Sequence, residues 1–458
     1  MAESMDKPAS RFEIAVIGAG PSGFYAADAL LRSELPVAVD VYERLPAPFG
    51  LVRYGVAPDH PRLKSTIKVF EKIAQDPRFG FIGNVDVGSD ITLQELRRHY
   101  DVVILAHGTR RGRALDIPGG DLNGCHTASD FVGWYNGHPD FMNLRFDLSA
   151  RSVAIVGNGN VALDLARILL QPIDALRQTD IATHALEVLA ESSVRDVHLI
   201  GRRGPAQAAF TNMELRELGQ LPGVNPTVDA AQLELTDATE TELADRKRFL
   251  ICKNIETLRS YSERNEVESE RRIIFHFLRS PIQAHGSGRI EELHLAVNRL
   301  EGKPFEQRAV ATEETEVIPC GLLFSSIGYQ GEPLTELPFD DYSGTYRNNQ
   351  GKVAGEPELF TAGWIKRGPS GIIGTNKACS QETVGQVVQY LNGSVGPGSK
   401  KGFSGVRQLL ESKFVNFDTW SLLDALEISA GMKLGKPREK ILNFPKAIAS
   451  LHNRPSSR

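Results

Sequence analysis

The hydrophobic pattern opens on Phe12-Glu-Ile-Ala-Val-Ile17, a largely apolar run of strand length. It enters Gly18-Ala19-Gly20-Pro21-Ser22-Gly23 and then an Ala- and Leu-rich stretch that reaches Arg32. That order predicts strand, turn and helix. Val37-Ala-Val-Asp-Val-Tyr predicts a second strand, ending at Glu43. The succession returns at Ser152-Val-Ala-Ile-Val, followed by Gly157-Asn158-Gly159-Asn160-Val161-Ala162, a helical Leu163 to Leu170, and a further strand from Val194 to Gly201. Two more buried-strand patterns, Asp101 to Gly108 and Cys320 to Gly328, end in glycine and read as crossings between units. Leu359-Phe-Thr-Ala-Gly363-Trp364 and the turn Gly371-Ile372-Ile373-Gly374 come later. Past Gly393 a Gly, Ser and Lys stretch to Gly405 reads as a linker, and the remaining tail is patterned as helix.

The turns carry the chemistry. In the first, Gly18 permits a tight turn, Gly20 lets a pyrophosphate approach the backbone, and Gly23 lets the helix pack closely on the strand. Glu43 follows Gly23 by twenty positions, where a carboxylate can bind ribose hydroxyls. The second turn has Ala162 in the third small position, and its next strand runs into Arg202-Arg203 instead of an acid. An arginine pair at a strand end is ordinarily solvated charge, but after a nucleotide turn it suits a 2'-phosphate. Forty positions separate Ala162 from Arg202, twice the first spacing, which implies an insertion around Gln171 to Ser193 with little readable chemistry. Opposite ribose signatures imply two different dinucleotides, most economically FAD and NADP(H). A flavin accepts hydride and releases single electrons. The expected fold is α/β, with two Rossmann-like dinucleotide-binding domains. The NADP domain (109–324) is inserted in a discontinuous FAD domain (1–108 and 325–458), with a C-terminal tail after about residue 395.

Composition narrows the function by exclusion. A formal net charge of -5 argues against bulk nucleic-acid binding. No apolar run approaches the roughly 20 residues that a membrane helix needs, so no membrane insertion is expected. Met1 to Arg11 is polar, which points to a reducing compartment, the cytoplasm. Cys125, Cys252, Cys320 and Cys379 stand singly, so no Cys-x-x-Cys pair can act as a dithiol or hold an iron-sulfur cluster. They are expected to be four small buried side chains. No metal site is expected.

The segments Gly18 to Gly23, Pro48-Phe-Gly-Leu-Val-Arg-Tyr-Gly-Val-Ala-Pro-Asp-His60, Gly157 to Asp164, Gly201-Arg-Arg-Gly-Pro205 and Gly363 to Asn376 together resemble the NADPH-ferredoxin reductases of the adrenodoxin reductase type, particularly their actinobacterial members. The resemblance spans nearly the whole chain. It implies FAD contacts at Gly18, Ala19, Gly20, Pro21, Ser22, Gly23, Glu43, Leu51, Val87, Trp364, Gly371, Ile372 and Ile373. For NADP it implies Arg113, Asn158, Gly159, Asn160, Val161, Arg202, Arg203, Glu214 and Gly371. On the residues alone, His60 in a loop reads as a surface histidine and Glu217 as a solvated helix position. The resemblance instead implies that they form an ionic pair beside the flavin and nicotinamide, tuning binding or redox potential. The family's C-terminal stretch is matched by Trp420, Asp424-Ala425, Glu427, Gly431, Gly435 and Pro437-Arg438, which implies a docked tail.

The expected reaction is hydride transfer from NADPH to FAD, then one-electron steps to a ferredoxin-like iron-sulfur protein, with catalysis resting on orientation. Ferredoxins are commonly acidic. Arg216, Arg246, Lys247, Arg248, Lys253 and Arg259 are therefore candidates for a basic docking face, or else plain solvated charge. An NADPH-dependent flavin monooxygenase or other small-molecule flavoprotein oxidoreductase is the enzyme alternative, because its two nucleotide sites would look alike; Phe131-x-Gly133 with His138 loosely follows a monooxygenase signature, with a spacing one residue too long. A non-catalytic NADPH-binding module is the other class.

Overall fold

A computed structural model describes residues 10–264, 270–334, 337–393, 396–410 and 413–452. Its strands, in chain order, begin with β1 (Phe12–Ile17), β2 (Val37–Glu43), β3 (Phe79–Gly83) and β4 (Val102–Leu105). Next come β5 (Cys125–Thr127), β6 (Ser152–Val156), β7 (Asp196–Ile200), β8 (Val224–Val228) and β9 (Arg271–His276). An antiparallel trio, β10 (Arg279–His285), β11 (Glu292–Glu301) and β12 (Arg308–Pro319), leads to β13 (Leu322–Ser325). β14 (Asn348–Asn349), β15 (Lys352–Val353) and β16 (Leu359–Thr361) follow. One sheet has the order β14-β15-β16-β4-β1-β2-β3, and the other, parallel throughout, has β5-β13-β6-β7-β9-β8. In each, the strand before a glycine turn, β1 or β6, has its sequence successor on one side and a late-returning strand on the other. That is a topological switch point, where open α/β sheets bind ligands beyond the strand ends.

Helices cover these sheets. α1 (Pro21–Leu31) follows the first turn, α2 (Gly50–Tyr54) the Pro48-Phe49 loop, α3 (Asn160–Leu170) the second turn, and α4 (Asn212–Leu218) the arginine loop; α5 (Ile373–Asn392) packs against α1. The two runs read as crossings, Asp101 to Gly108 and Cys320 to Gly328, contain β4 and β13, central strands whose residues are all buried. Their exits carry the chain across. Cys320 and Cys379 are buried as expected, whereas Cys125 and Cys252 are only half-buried. Burial pushes the Cys125 thiol up to about 11 and the Cys320 thiol up to about 12.

Two stretches that looked uninformative join the structure. The supposed linker docks on the first unit in its described part: Lys400 Nζ donates to the Arg97 carbonyl at 2.9 Å and the Gly402 amide to the His99 carbonyl at 2.8 Å. The supposedly empty insertion, 171–193, grips the tail. In the tail, α6 (Phe417–Lys433) and α7 (Phe444–His452) complete the core around Phe24, Phe49 and Phe70 with Trp420, Leu423 and Phe444. Lys436 donates to the Ile181 carbonyl at 2.8 Å, Thr183 to Glu439 at 2.7 Å, and Lys440 reaches Asp180 at 3.1 Å. Lys64, on the first unit, meets the same Asp180 at 2.5 Å. Deep in the tail Glu427, fully buried, accepts from Arg53 at 2.5 Å, from the Ile441 amide at 2.8 Å and from Arg438 at 3.2 Å. Removing one partner of a buried ion pair leaves the other charge unpaired, a cost of about 3–5 kcal/mol. Glu427→Ala is therefore expected to lower unfolding stability by roughly that amount in urea titration.

Candidate functional site

The two glycine turns have one geometry. Gly18 lies at φ 109° and its amide donates to the Tyr42 carbonyl at 2.7 Å; Gly157 lies at φ 143° and donates to the Ile200 carbonyl at 2.8 Å. A Cβ at Gly18 would fall 2.6 Å from the Ala106 carbonyl oxygen, and one at Gly157 would fall 2.2 Å from that of Ser326. Ala106 and Ser326 each lie one residue past the neighbouring switch strand, β4 or β13. Both positions combine left-handed backbone with close approach, so both require glycine. Helices α1 and α3 are N-capped by Gly20 and Gly159, with no side-chain cap and no acid in the first turn. Their leading N–H groups are left for an anion.

The first cradle is closed by residues that local patterning does not reveal. Phe49, at φ 83°, donates its amide to the Ala19 carbonyl at 2.8 Å and delivers Gly50 so close that a Cβ there would lie 2.9 Å from Gly20 Cα. A Cβ on Gly363 would lie 2.0 Å from Ser22 Oγ, which itself donates to Asn376 at 3.2 Å. Glu43 accepts from the Ala19 amide at 3.0 Å and the Leu45 amide at 3.1 Å, so its carboxylate is fixed against the turn. Pro21 takes the first helical position and Gly23 packs on the turn, while Leu51 on α2 is partly exposed and Val87 is buried. Trp364 lies tilted against Tyr329, ring centroids 5.4 Å apart, and its buried indole N–H has no partner among the described residues. Gly371 lies at φ 80° and is exposed with Ile372. Ile373, half-buried, begins α5 beside them. A slot without side chains, a held carboxylate, free amides and an orphaned donor fit a flavin dinucleotide.

In the second cradle, the Asn158 carbonyl accepts from the Ala209 and Phe210 amides at 2.8 and 3.1 Å, and the Asn160 side chain accepts from the Thr211 amide at 2.8 Å. The buried Asn158 Oδ1 has no partner among the described residues. Gly159 is open and Val161 packs on the second core. Arg202 and Arg203 are exposed just past β7, and neither guanidinium has a hydrogen bond or ion pair among the described residues. Their backbone is nevertheless anchored: Asn298 Nδ2 donates to the Arg202 carbonyl at 2.9 Å and the Leu278 amide to that of Arg203 at 3.1 Å. Two free guanidinium groups on a fixed loop fit a phosphate. Arg113 stands apart from the arginine loop, donating to the carbonyls of Tyr329 at 3.4 Å and Tyr342 at 3.0 Å.

Where the units meet, His60 Nε2 lies 3.0 Å from Glu217 and 3.7 Å from Glu214, and its Nδ1 lies 4.0 Å from Asp164. Arg167 faces the same carboxylates: Nε is 2.6 Å from Asp59, Nη2 2.7 Å from Asp164 and Nη1 3.2 Å from Glu214. Ligand atoms of His60, Glu214 and Glu217 converge within 4.8 Å, a spacing open to a metal, but the guanidinium already supplies a cation there. Burial, then repulsion from Asp164, pushes the Glu214 carboxyl up to about 7, against the pull of His60 and Arg167. A folded-state value raised above the ordinary 4.5 gives stability that is complete below about 4.5 and lost as pH rises through about 7. Glu214→Gln is expected to flatten the fall in unfolding stability across that window, measured by urea titration at several pH values. Asp59, Asp164 and Arg167 were not singled out in the sequence; the spacing of Asp164 and Arg167, one helical turn apart, was the available signal.

Arg216, Arg246, Lys247 and Arg259 are exposed on or near α4 and the helix Phe249–Ser262, but Lys253 pairs with Glu256 at 2.6 Å and Arg248 lies over the Phe305 ring. Phe131 and Gly133, which loosely followed a monooxygenase signature, lie in a buried helix, Ala128–Tyr135, with Gly133 against Phe141. No helix among the described residues is long and apolar enough to cross a membrane.

The chain is similar to known proteins in both sequence and fold. Residues 12–218 match the family model described as pyridine nucleotide-disulphide oxidoreductase. The chain is 45% identical over 453 residues to NADPH-ferredoxin reductase FprA of Mycobacterium tuberculosis, covering 95% of this chain and 98% of that one. It is 44% identical over 447 residues to the mitochondrial NADPH:adrenodoxin oxidoreductase of Bos taurus, covering 94% and 90%. The solved structure of Mycobacterium tuberculosis FprA in complex with NADPH matches with a TM-score of 0.91 at 44% identity, over 96% of this chain and 99% of that one. With likeness of this extent in both sequence and fold, the chain belongs to the family of NADPH-ferredoxin and NADPH:adrenodoxin reductases.

Proposed function

We propose that this protein takes hydride from NADPH onto FAD and delivers single electrons to a ferredoxin-like iron-sulfur protein. The observation that carries the proposal is the pair of similarly built glycine turns with opposite tags, Glu43 held against one and Arg202 and Arg203, without side-chain partners among the described residues, beyond the other. When bound, the flavin supplies the conversion of a two-electron donor into one-electron transfers. The chain's own residues bind and orient. Gly18, Gly20 and Gly23 admit a pyrophosphate at the start of α1, with Ala19, Pro21 and Ser22 completing the turn. Trp364 with Gly371, Ile372 and Ile373 would bound the ring pocket, and Leu51 and Val87 would contact the FAD. Asn158 to Val161, Arg113, Arg202, Arg203 and Glu214 would hold NADP. His60 and Glu217 would sit beside the two rings and tune binding or potential.

We read residues 1–108 and 325–458 as the FAD domain and 109–324 as the NADP domain, supported by β16 rejoining β4 after β5 to β13 have built the other sheet and the antiparallel trio. Placement in the cytoplasm is supported by four free cysteines. The burial of Phe131 and Gly133 favours the reductase over a monooxygenase. The test is anaerobic mixing of the yellow holoprotein with NADPH and then with oxidised ferredoxins, following flavin and iron-sulfur absorbance. Bleaching followed by ferredoxin reduction is expected; a flavin that NADPH bleaches but that no oxidised ferredoxin reoxidises would overturn it.

A further inference from the structure

The cluster around His60 is organised by a residue with no assigned part in it. Arg167 lies in the last half of α3, the helix that follows the second glycine turn, and its side chain is only 4% exposed. All three of its nitrogens face carboxylates. Nε and Nη2 fork onto Asp59 at 2.6 and 3.1 Å, Nη2 also meets Asp164 at 2.7 Å, and Nη1 meets Glu214 at 3.2 Å and Glu217 at 3.7 Å. Asp59 is the neighbour of His60 on the loop of the first unit, whereas Glu214 and Glu217 ride on α4 of the second. One planar group thus ties three pieces of chain together, and His60 reaches three of the four acids that Arg167 faces, Asp164, Glu214 and Glu217.

We infer that Arg167 is a positioning residue: acting through Asp59 and Glu217, it fixes the His60 loop of the flavin side against α3 and α4 of the NADP side, and so sets the approach of the two nucleotide rings. The inference rests on the NADPH-to-FAD reading given above. The physical reason is geometric. A guanidinium presents donors in a rigid plane and can satisfy several acids in fixed directions at once, whereas a lysine ammonium is a point charge on a flexible stem. Burial reinforces the arrangement: desolvation works against the charged guanidinium, yet Asp164 and Asp59 outweigh it and keep its pKa raised. A displacement of about 1 Å between reacting groups can cost on the order of a hundredfold in rate. Loosening the fork should therefore be visible in hydride transfer itself.

The experiment uses FAD-loaded protein: wild type, Arg167→Lys, Arg167→Gln, Asp59→Asn and the Arg167→Gln/Asp59→Asn double variant. Three quantities are followed. They are the rate of flavin bleaching under saturating NADPH in an anaerobic rapid mixer, the long-wavelength absorbance that appears only when nicotinamide and flavin rings stack, and the thermal midpoint. Arg167→Gln and Asp59→Asn are each expected to slow bleaching about tenfold or more and to weaken the long-wavelength band, with NADPH affinity changing by less than about threefold. The double variant is expected to be no slower than the slower single one, because both changes open the same fork. Arg167→Lys should fall between wild type and Arg167→Gln.

Unchanged bleaching and band intensity with only a lower thermal midpoint would show that Arg167 merely stabilises the fold, and the inference would fail. Multiplicative slowing in the double variant would also overturn it. Should Arg167→Gln not fold, Asp59→Asn and Arg167→Lys decide by the same two readouts. A wild-type protein that NADPH cannot bleach would sink the functional reading and this inference together; a bleachable wild type with indifferent variants would sink this inference alone.

Discussion

Replacing Arg202 and Arg203 together by alanine is expected to cut kcat/KM for NADPH by about a thousandfold and leave that for NADH within a few-fold, because two charge-assisted bonds of about 1.5–3 kcal/mol each are lost and each 1.4 kcal/mol is tenfold. The structure makes this a clean subtraction. Neither guanidinium is used elsewhere among the described residues, so no internal ion pair breaks. The loop keeps its shape because its backbone carbonyls are held by Asn298 and Leu278. Steady-state kinetics with both nucleotides is the measurement. If the preference for NADPH survives, the 2'-phosphate is bound elsewhere and the assignment of the second cradle is wrong.

The other large effect belongs to the first cradle. A Cβ at Gly23 would lie 1.9 Å from the Gly18 carbonyl oxygen and 3.1 Å from its carbon. Both atoms are backbone, so no flexible side chain can give way. Gly23→Ala must open the turn between β1 and α1, and overpacking of this kind costs about 1–3 kcal/mol or more. The expected result is protein that emerges nearly without flavin, or fails to stay soluble, with bound FAD per chain measured by absorbance. Gly385→Ala is the matched control. Gly385 lies within α5 with nothing near a Cβ, and alanine in a helix interior is better than glycine by about 0.8–1 kcal/mol. Equal flavin loss in both variants would show that the cradle does not depend on Gly23.

What the sequence made legible was local. Strand, glycine turn, helix and ribose tag lie within about thirty residues in the first unit, and their spacing reflects contacts that the chain makes with its near neighbours. Glu43 could be picked out because it ends the strand beside the turn, and it is found bonded to Ala19. Distant pairings left no such trace. Asp59 and Arg167 are separated by 108 positions, and nothing in the composition of either segment points to the other. The convergence of His60 with Glu217 is legible only through family resemblance, since it depends on a loop of the first unit meeting α4 of the second. Gly50 and Gly363 were visible as glycines, but what they approach, Gly20 and Ser22, was not.

The misread stretches fail for a related reason. Gly, Ser and Lys predict a solvated linker, yet the Lys400 ammonium and the Gly402 amide find carbonyl partners on the Leu93–His99 helix. The insertion reads as poor in chemistry because Asp180 and Thr183 are unremarkable until Lys64, Lys436, Glu439 and Lys440 arrive from elsewhere. The antiparallel trio β10 to β12 leaves little trace in the sequence because its strands are long and mostly half-exposed, without the compact apolar runs that mark a parallel sheet.

The pairing of β4 with β16 has a consequence for how the chain acquires its shape. Thr361 donates to the Leu105 carbonyl across 256 positions, so this last parallel pair closes a very long loop. Closure entropy grows only with the logarithm of loop length, about 0.6 kcal/mol per doubling, but contacts this remote form late. Once the intervening segment has collapsed into its own sheet, the two ends are held near each other and the penalty shrinks. A nascent chain stalled before β16 would expose the free edge of β4, whose unpaired amides and carbonyls invite a strand from another molecule.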